Sequence, residues 1–351
     1  MTSVEISLFD TSSATDAELA ESYDVTMAVA NENFPGEPRP TLDQFVQMAR
    51  QTTSFWGPVR RWVAREDGRI VAMGSASYPE HENRHGTITG VAVRPDRRRQ
   101  GIGTALLRAM LPDLSIDGRT VVFGYGLKAD AAGELWARKL GFVRTQASAR
   151  QVLTIADVDP ALWERPVADG FRLEHWTGAV PEALLAEYAR ARTAIHDAPQ
   201  GDSTLALPEW TPERVRAEEA DMLARGAEVH VIAAVHEAGG RVAGFTELEL
   251  LATRTDAAFQ LDTAVAAEFR GHGLGLAVKG AMMRWLTAEH PGIGTVFSSN
   301  AADNTHMIRV NHTLGYVTKA VMADVELDAA ELVKRLDAQD AQDAQDAQDA
   351  H

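Results

Sequence analysis

Hydrophobic and polar residues along this chain follow the periods of β-strands and amphipathic helices. In the first half, two β-leaning runs stand on either side of Asp67 and Gly68, which is the pattern of a hairpin. A valine-rich run then leads into a loop with two glycines. Beyond the loop, Ile102, Leu106 and Met110 recur at every fourth position and predict a helix with one apolar face. We therefore expect strands and helices to be mixed in this half.

The second half of the chain repeats this order of elements. Two helical segments precede a hairpin that turns at Gly239 and Gly240, and a strand again meets a glycine-containing loop. Val278, Met282 and Leu286 mark the apolar face of the helix that follows. A further strand, a helix and a closing strand complete each half.

The two halves align residue by residue with almost no gaps. Gly101 and Gly103 fall on Gly273 and Gly275 when the halves are superposed. The tripeptide "LGF" at Leu140 has its counterpart in "LGY" at Leu314. A repeat of this length predicts two copies of one fold.

The repeat also predicts the domain boundaries. We expect one domain in residues 1–160 and a second in residues 161–336, and the length of 351 residues agrees with two domains. Residues 337–351 repeat Asp-Ala-Gln, have no apolar face and are predicted to be disordered.

Composition and charge narrow the classes of function. The chain has 34 Lys and Arg against 50 Asp and Glu, and its net charge of −16 argues against nucleic acid as a partner. It has no cysteine, which excludes disulfides, thiolate catalysis and Cys-ligated zinc. No leader pattern and no run of about 18 to 20 apolar residues is present in the sequence, so we expect a cytoplasmic protein without a membrane partner.

The two glycine loops, "RRRQGIGTALL" and "FRGHGLGLAVK", carry the main chemical signal. A strand that ends in a loop and restarts as a helix directs backbone N–H groups and the helix dipole toward one point, where a phosphate or pyrophosphate binds. Neither loop has the Lys-Ser/Thr pair of a P-loop. The third glycine of a dinucleotide loop is replaced by Leu106 in one copy and Val278 in the other.

The remaining pattern is Arg-x-x-Gly-x-Gly between a valine-rich strand and an amphipathic helix, and it resembles motif A of the GNAT N-acetyltransferases. The resemblance covers roughly residues 5 to 330 as a tandem pair. The segments "HDAPQGD", "DTAVAAEFRGHGLGLAVK" and "SNAADNTHMIRVNHTLGY" resemble a tandem branch common in actinobacteria. The resemblance implies an α/β fold with two tandem GNAT domains, each a mixed, mostly antiparallel sheet flanked by helices.

The resemblance also implies that acetyl-coenzyme A binds at each loop, or that one copy is a packing relic. The pantetheine arm would pair with the strand before the loop, and the loop amides would bind the pyrophosphate. The implied residues of the first half are Val91, Ala92, Val93, Arg98, Arg99, Gln100, Gly101, Ile102, Gly103 and Thr104. Those of the second half are Thr263, Ala264, Val265, Arg270, Gly271, His272, Gly273, Leu274, Gly275 and Leu276.

The family acetylates an amine of a small molecule or peptide directly, and it commonly uses a tyrosine as the acid for the departing thiolate. Ala137 and Asn311 stand at the positions of that tyrosine here. Tyr125 and Tyr316 are the nearest substitutes, and packing is the alternative role of each. The amide of Asn304 is a candidate to bond the pantetheine or the thiol, with helix capping as the alternative.

The amine must lose a proton before it attacks, and a carboxylate is the usual acceptor. Glu247 and Glu249 alternate with apolar residues and share one face of a strand, where a plain solvated face is the alternative. Glu247 is our candidate for the base, and Asp262 is the second choice. The second half is therefore the expected catalytic copy, and a non-catalytic acyl-CoA sensor or scaffold is the rival interpretation.

The loop "HDAPQGDSTLALPEW" is expected to form the acceptor pocket. Asp197 and Asp202 would attract a cationic amine and Trp210 would cover its apolar part, although Asp is also an ordinary turn residue. The oligomeric state is expected to be a monomer or a homodimer.

A His-Glu-x-x-His motif occurs at residues 81–85, "HENRH". This motif binds zinc only on a helix, where both imidazoles share one face. Pro79 and Gly86 on either side of it predict a loop, so we expect no metal site here.

Overall fold

The computed structural model describes residues 4–54 and 56–349, so Ala350 and His351 of the predicted tail lie outside the described residues. The elements up to residue 154 are β1 (Glu5–Leu8), α1 (Asp16–Asn33), α2 (Leu42–Ala49), β2 (Thr53–Ser54), β3 (Gly57–Glu66), β4 (Arg69–Ser77), β5 (Gly86–Val93), α3 (Ile102–Leu114), β6 (Val121–Lys128), α4 (Ala132–Lys139) and β7 (Val143–Thr154).

The later elements repeat this order. They are β8 (Phe171–Thr177), α5 (Leu185–Arg192), α6 (Pro212–Ala224), β9 (Ala227–His236), β10 (Val242–Leu251), β11 (Ala257–Val265), α7 (Leu274–Glu289), β12 (Thr295–Ala301), α8 (Thr305–Thr313), β13 (Val317–Asp328) and α9 (Ala329–Asp349). A short 3-10 turn at Thr193–Asp197 follows α5.

The described chain forms two compact units. The first unit contains the residues up to 147, the short segment 201–206 and the residues from 322 onward. The second unit contains residues 148–200 and 207–321. The units therefore differ from the predicted split between residues 160 and 161, because the chain passes from one unit to the other within β7 and again within β13.

Each unit has its own mostly antiparallel order of strands. In the first unit the order is β1-β3-β4-β5-β6-β13, β2 pairs with β3, and only β5 and β6 run parallel among the described pairs. In the second unit the order is β8-β9-β10-β11-β12-β7, with β11 and β12 parallel. The predicted fold class, a mixed and mostly antiparallel sheet flanked by helices in two GNAT-like copies, is confirmed.

The closing strand of each sheet comes from the other half of the sequence. The end of β7 pairs with β12, and its Leu153 is buried in the core of the second unit. The end of β13 pairs with β6, and Val325 is buried in the core of the first unit. The two sequence repeats are thus not the two folded units.

The predicted apolar stripes face these cores. Ile102, Leu106 and Met110 of α3 are buried together in the first unit. Val278, Met282 and Leu286 of α7 are buried in the second. Burial of these two faces positions the N-terminus of each helix at its glycine loop.

The last helix, α9, continues through Asp349, where the sequence predicted a disordered tail. Its first turns dock on the core of the first unit through Leu332 and Leu336. Packing of these first turns offsets the unfavourable free energy of helix nucleation. The helix can then extend through the alanines and glutamines that follow, because both are good helix formers. Among the described helices, none has the length together with the apolar character needed to cross a lipid bilayer.

Candidate active site

The parallel strands of the first unit separate next to the glycine loop. β5 pairs with β6 only from Gly86 to Thr89, against Val121 to Gly124. Beyond this register, a cleft of about 770 Å³ lies between the ends of the two strands and the start of α3. Two splayed strand edges leave backbone N–H and C=O groups that a linear amide chain can pair with.

The loop at this cleft has the geometry of an anion site. Gly101 is the N-cap of α3 with a left-handed φ of 81°, and no side chain caps the first turn of the helix. The Arg98 Nε donates to the Val93 carbonyl at 3.1 Å, and its Nη1 lies 2.6 Å from Glu32. Uncapped N–H groups at a helix N-terminus, next to arginines, suit a pyrophosphate.

The second unit repeats this loop in detail. Gly273 caps α7 with a left-handed φ of 70°, again without a side-chain cap. The Arg270 Nε donates to the Val265 carbonyl at 3.2 Å, which is the counterpart of the contact that Arg98 makes. The register of β11 with β12 ends at Phe259, so here too the strands diverge before the loop.

A cluster of charged side chains lies at the centre of the second unit, and we call it the Arg192 cluster. The Arg192 guanidinium, at the end of α5, contacts the carboxylate of Glu218 on α6. It also lies 3.5 Å from Glu247 on β10 and 3.6 Å from Asp262 on β11. The ring of Trp210 stacks on it, with 3.4 Å from the ring centroid to Cζ.

Burial sets the protonation of this cluster. Glu247 is 2% exposed and accepts a hydrogen bond from the Tyr188 hydroxyl. Burial raises the pKa of Glu247 to about 7, although Arg192 opposes the shift. Burial also raises the pKa of Glu218 and of Asp262. Burial alone would lower the pKa of Arg192, but the surrounding carboxylates raise it. Three carboxylates therefore share one permanent cation.

Several polar atoms of the cluster have no hydrogen-bond partner within the described part of the chain. They are Glu247 Oε2, Trp210 Nε1 and the Oε1 of Gln260, which lies on β11. Of these three residues, Glu247 lines a pocket of about 450 Å³ between α6, β8 and β9, and Arg192 lines it as well. Unpaired buried polar atoms at a pocket are typical of a site that receives a polar ligand.

Comparison with known proteins identifies the family. The profile of the Acetyltransferase (GNAT) family matches residues 25–142 and 192–316. The chain belongs to this family. It is therefore an acyltransferase with two GNAT regions, as the sequence predicted.

Similar proteins span most of the chain. A mycothiol acetyltransferase from Nocardia farcinica (strain IFM 10152) is 27% identical over 267 residues, which is 74% of this chain and 80% of the relative. A tandem GNAT protein from the clavulanic acid biosynthesis pathway superposes with a TM-score of 0.74 at 24% identity, covering 93% of this chain and 99% of the other. A GCN5-related N-acetyltransferase from Sphaerobacter thermophilus superposes with a TM-score of 0.66 at 14% identity, covering 93% and 96%.

Nine of the ten first-half residues predicted for the cofactor line the 770 Å³ cleft of the first unit. The strand residues Val91, Ala92 and Val93 line it, and so do the predicted loop residues with the exception of Gln100. At the cleft the Thr104 hydroxyl accepts from the Trp136 indole at 3.3 Å.

The three predicted catalytic residues do not share one GNAT unit. Tyr125 lines the cleft of the first unit and is 54% exposed, whereas Glu247 and Asn304 belong to the second unit. A bulge at Tyr125 aims its side chain, and the Asp324 carboxylate fixes the bulge by accepting from the Gly126 N–H at 2.7 Å. Partial desolvation by the surrounding protein, and secondly the charge of Asp324, raise the pKa of the Tyr125 phenol.

The other candidates for acid and base have structural contacts. The Asn304 side-chain oxygen Oδ1 accepts from the Met307 N–H at 3.1 Å, which is the helix-capping alternative. Asn311 is buried and donates to Gln151 at 2.8 Å. Tyr316 is buried in the core, and Glu249 lies 3.9 Å from Arg225 rather than at the Arg192 cluster.

The predicted acceptor loop is divided. Asp197 pairs with Arg270 of the second glycine loop, at 2.5 Å, and Trp210 covers Arg192 rather than an open pocket. Asp202 is exposed and belongs to the first unit, where its N–H donates to the Thr145 carbonyl at 2.8 Å. Asp197 and Asp202 thus belong to different units, and their joint contact with one amine stays a prediction.

Sequence reasoning missed Arg192, Tyr188 and Glu218. Tyr188 and Arg192 are four residues apart on α5, a spacing that places them on one helix face. That face is buried against β10, which the sequence does not reveal, because arginine is ordinarily an exposed helix residue. The "HENRH" segment forms turns, as predicted, and no helix holds its two histidines on one face.

Proposed function

We propose that the protein transfers the acetyl group of acetyl-coenzyme A to a cationic amine, and that the second unit performs the transfer. The observation that carries this proposal is the Arg192 cluster. In this cluster one guanidinium lies against three carboxylates, of which Glu247 is buried and Glu218 and Asp262 are partly exposed. One oxygen of the Glu247 carboxylate has no hydrogen-bond partner within the described residues. An ammonium group would balance the excess negative charge of this cluster.

The residues around the second glycine loop fit the cofactor. The uncapped first turn of α7, with Gly273 in the left-handed region, would hold the pyrophosphate together with Arg270. A Cβ at Gly271 or Gly273 would meet nothing within 4 Å, so the backbone of the loop is open to a bulky anion. The edge of β11 at Thr263–Val265 would hold the pantetheine arm. When bound, acetyl-coenzyme A supplies the activated acetyl thioester.

We assign to Glu247 the role of general base, which accepts a proton from the acceptor ammonium group. An alkylammonium group has a pKa of about 10.4 in water and must be neutral to act as a nucleophile. Glu247 has a pKa of about 7, so it is partly ionised at neutral pH and able to accept a proton there. Asp262 lies across Arg192 from it and remains the second candidate.

The acceptor would reach the cluster from the side of α5 and α6. Phe245 and Ala264, each two residues from one of the carboxylates along its strand, pack with α5 in one core cluster. Leu248 instead packs with α7 on the opposite face. Glu247 therefore faces α5, because side chains two apart on a strand share a face. Asp262 lies in a β11 bulge between Gln260 and Thr263, where alternation does not hold, and its 3.6 Å distance to Arg192 places it on the α5 side as well.

The first unit supports a different role. Ser75 and Gly90 stand at its positions of Glu247 and Asp262 in the alignment that superposes the two glycine loops. Ladder register agrees, because Ala72 pairs with Val93 as Gly244 pairs with Val265. The carboxylates of the second unit therefore have no counterpart at these positions of the first. We therefore assign acetyl-coenzyme A binding without transfer to the first unit, which keeps the sensor function as a candidate for this half.

The acceptor class follows from charge. The wall of the 450 Å³ pocket contains four carboxylates and two guanidinium groups, and this excess of negative charge favours an amine with a positive charge. The charged residues are Glu218, Glu219, Glu228, Glu247, Arg192 and Arg216. One relative is named mycothiol acetyltransferase. Mycothiol-related amines therefore join small polyamines and peptide N-termini in the panel of acceptors to be screened.

The test is thiol release from acetyl-coenzyme A with this panel. We expect turnover that rises with pH through about 7, because Glu247 must be ionised to accept a proton. Glu247→Gln should lower kcat by about 100-fold to 10,000-fold, the usual contribution of a general base, and remove that step from the pH profile.

Ser75→Ala is the matched control in the first unit and should leave both kcat and the pH profile unchanged. Turnover by Glu247→Gln at the parental rate would refute the assignment of the base. Loss of turnover in Ser75→Ala would move the reaction to the first unit.

A further inference from the structure

A second group of ligating side chains lies on the α7 face of the second unit, outside the Arg192 cluster. Glu228 and His230 are on β9, and His290 follows the end of α7. One ligand atom from each residue lies within 4.8 Å of the other two. His230 is 2% exposed, His290 is half-buried and Glu228 is exposed. The group is therefore anchored in the protein by His230 and accessible to solvent at Glu228.

Contacts at both ring nitrogens fix the orientation of the buried His230. The Nε2 of His230 lies 2.5 Å from the Glu228 carboxylate, and its Nδ1 lies 2.9 Å from the Thr177 hydroxyl on β8. A hydrogen bond to the second ring nitrogen, which fixes the tautomer and the ring plane, is the usual support of a metal-binding histidine. One nitrogen is thus held by the fold while the other points at Glu228.

Aromatic packing holds the two imidazoles in place. The Trp285 ring lies 3.9 Å from the His230 ring and 5.0 Å from the His290 ring, between centroids. His175 packs on the same indole at 5.0 Å. The same indole thus packs against both candidate ligands, His230 and His290.

We propose that Glu228, His230 and His290 form a binding site for a divalent transition metal ion of the zinc type. Two imidazole nitrogens and one carboxylate oxygen are a donor set that zinc accepts, with water in the fourth position. Metal–ligand bonds of about 2.0 to 2.2 Å place tetrahedral ligands roughly 3.3 Å apart, so side-chain rotation from the present contacts is sufficient. The ion would tie the start of β9 to the end of α7.

The test is calorimetric titration of ZnCl2 into the full chain, prepared without a polyhistidine tag. We expect one strong site per chain. His290→Ala and Glu228→Gln should each weaken zinc binding by at least ~10-fold, because each removes a ligand. Both residues are at least partly exposed, so both variants should fold, as circular dichroism would verify. Thr177→Val should weaken binding by about 10-fold to 100-fold through the second ring nitrogen alone.

The double variant His81→Ala/His85→Ala removes two histidines from the "HENRH" segment and is the matched control. It should bind zinc like the parent. The proposal would be overturned if the parent had no strong site, or if His290→Ala and Glu228→Gln bound zinc as tightly as the parent. Loss of zinc binding in the control would overturn it as well. The titration requires no acetyl transfer, so its result is independent of the proposed function.

Discussion

The two units have the same glycine loop but different side chains around it. Arg98 and Arg270 make the same contact with the strand before the loop, and Gly101 and Gly273 have the same left-handed backbone. The first unit has a wide, mostly apolar cleft at its loop. The second unit has the carboxylates of the Arg192 cluster and a buried lysine side chain. The backbone geometry of cofactor binding is therefore duplicated in this chain, whereas the groups able to move a proton are not.

The buried amine is Lys279. It occupies the position of Leu107, which lines the cleft of the first unit, and Tyr316 occupies the position of Phe142. Lys279 is 1% exposed, and its Nζ lies 5.3 Å from the centroid of the Tyr316 ring. Burial lowers the pKa of Lys279 to about 7. The second unit thus tolerates a costly group where the first has an apolar wall.

The largest expected effect breaks the similarity of the loops. Gly101→Glu and Gly273→Glu each place a carboxylate where the pyrophosphate would bind. Two like charges about 4 Å apart repel by about 4 kcal/mol at an effective dielectric constant of 20, so acetyl-coenzyme A affinity in the altered unit should fall by ~1,000-fold. Calorimetry should show two sites in the parent and one in each variant, with turnover lost only in Gly273→Glu.

Gly101→Ala and Gly273→Ala are the matched controls for backbone strain. Both positions have positive φ, and nothing lies within 4 Å of an added Cβ. These variants should lose about 1 to 2 kcal/mol of stability while they keep cofactor binding. Unchanged affinity in the double Gly→Glu variant would show that the loops do not bind the cofactor.

The next effect sharpens the difference between sequence halves and folded units. Leu153→Ala alters the first half of the sequence but the core of the second unit, and Leu332→Ala alters the second half but the core of the first. Each should cost about 2 to 5 kcal/mol, because both leucines are fully buried. Hydrogen exchange should show increased opening in the unit that receives the side chain. Opening in the unit of the residue's own sequence half would contradict the assignment of β7 to the core of the second unit and of α9 to the core of the first.

The last effect is expected at Lys279, and it depends on pH. Its pKa is lowered in the folded state, so the unfolded chain binds more protons between about pH 7 and 10.5, and stability rises with pH across this window. Lys279→Leu should remove this slope and increase the free energy of unfolding at pH 7 by as much as about 5 kcal/mol. Urea denaturation at pH 7 and pH 10 measures both changes.

Leu107→Lys is the reciprocal variant, and it should destabilise the first unit and introduce the same pH dependence. A Lys279→Leu protein that is less stable than the parent at pH 7 would mean that the ammonium group has a partner that stabilises it.

The sequence alone was sufficient for the fold and the family because their signals are local. Apolar residues at every fourth position predict α3 and α7 correctly, since a helix buries one face wherever it packs. Gly101 and Gly273 identify the loops because only glycine adopts their backbone conformation without strain. The internal repeat then predicts two copies of one fold, and the family match confirms it.

The neighbours of each candidate residue were decided only by the tertiary structure. The spacing of residues does not reveal that β7 closes the second sheet or that β13 closes the first, because strand pairing depends on contacts across the whole chain. In the same way, Asp197 binds Arg270 and Trp210 covers Arg192. The protonation of Glu247 depends on burial between a strand and a helix that lie far apart in the sequence. Sequence determines what a residue can do chemically, and the packing around it determines its charge and its partner.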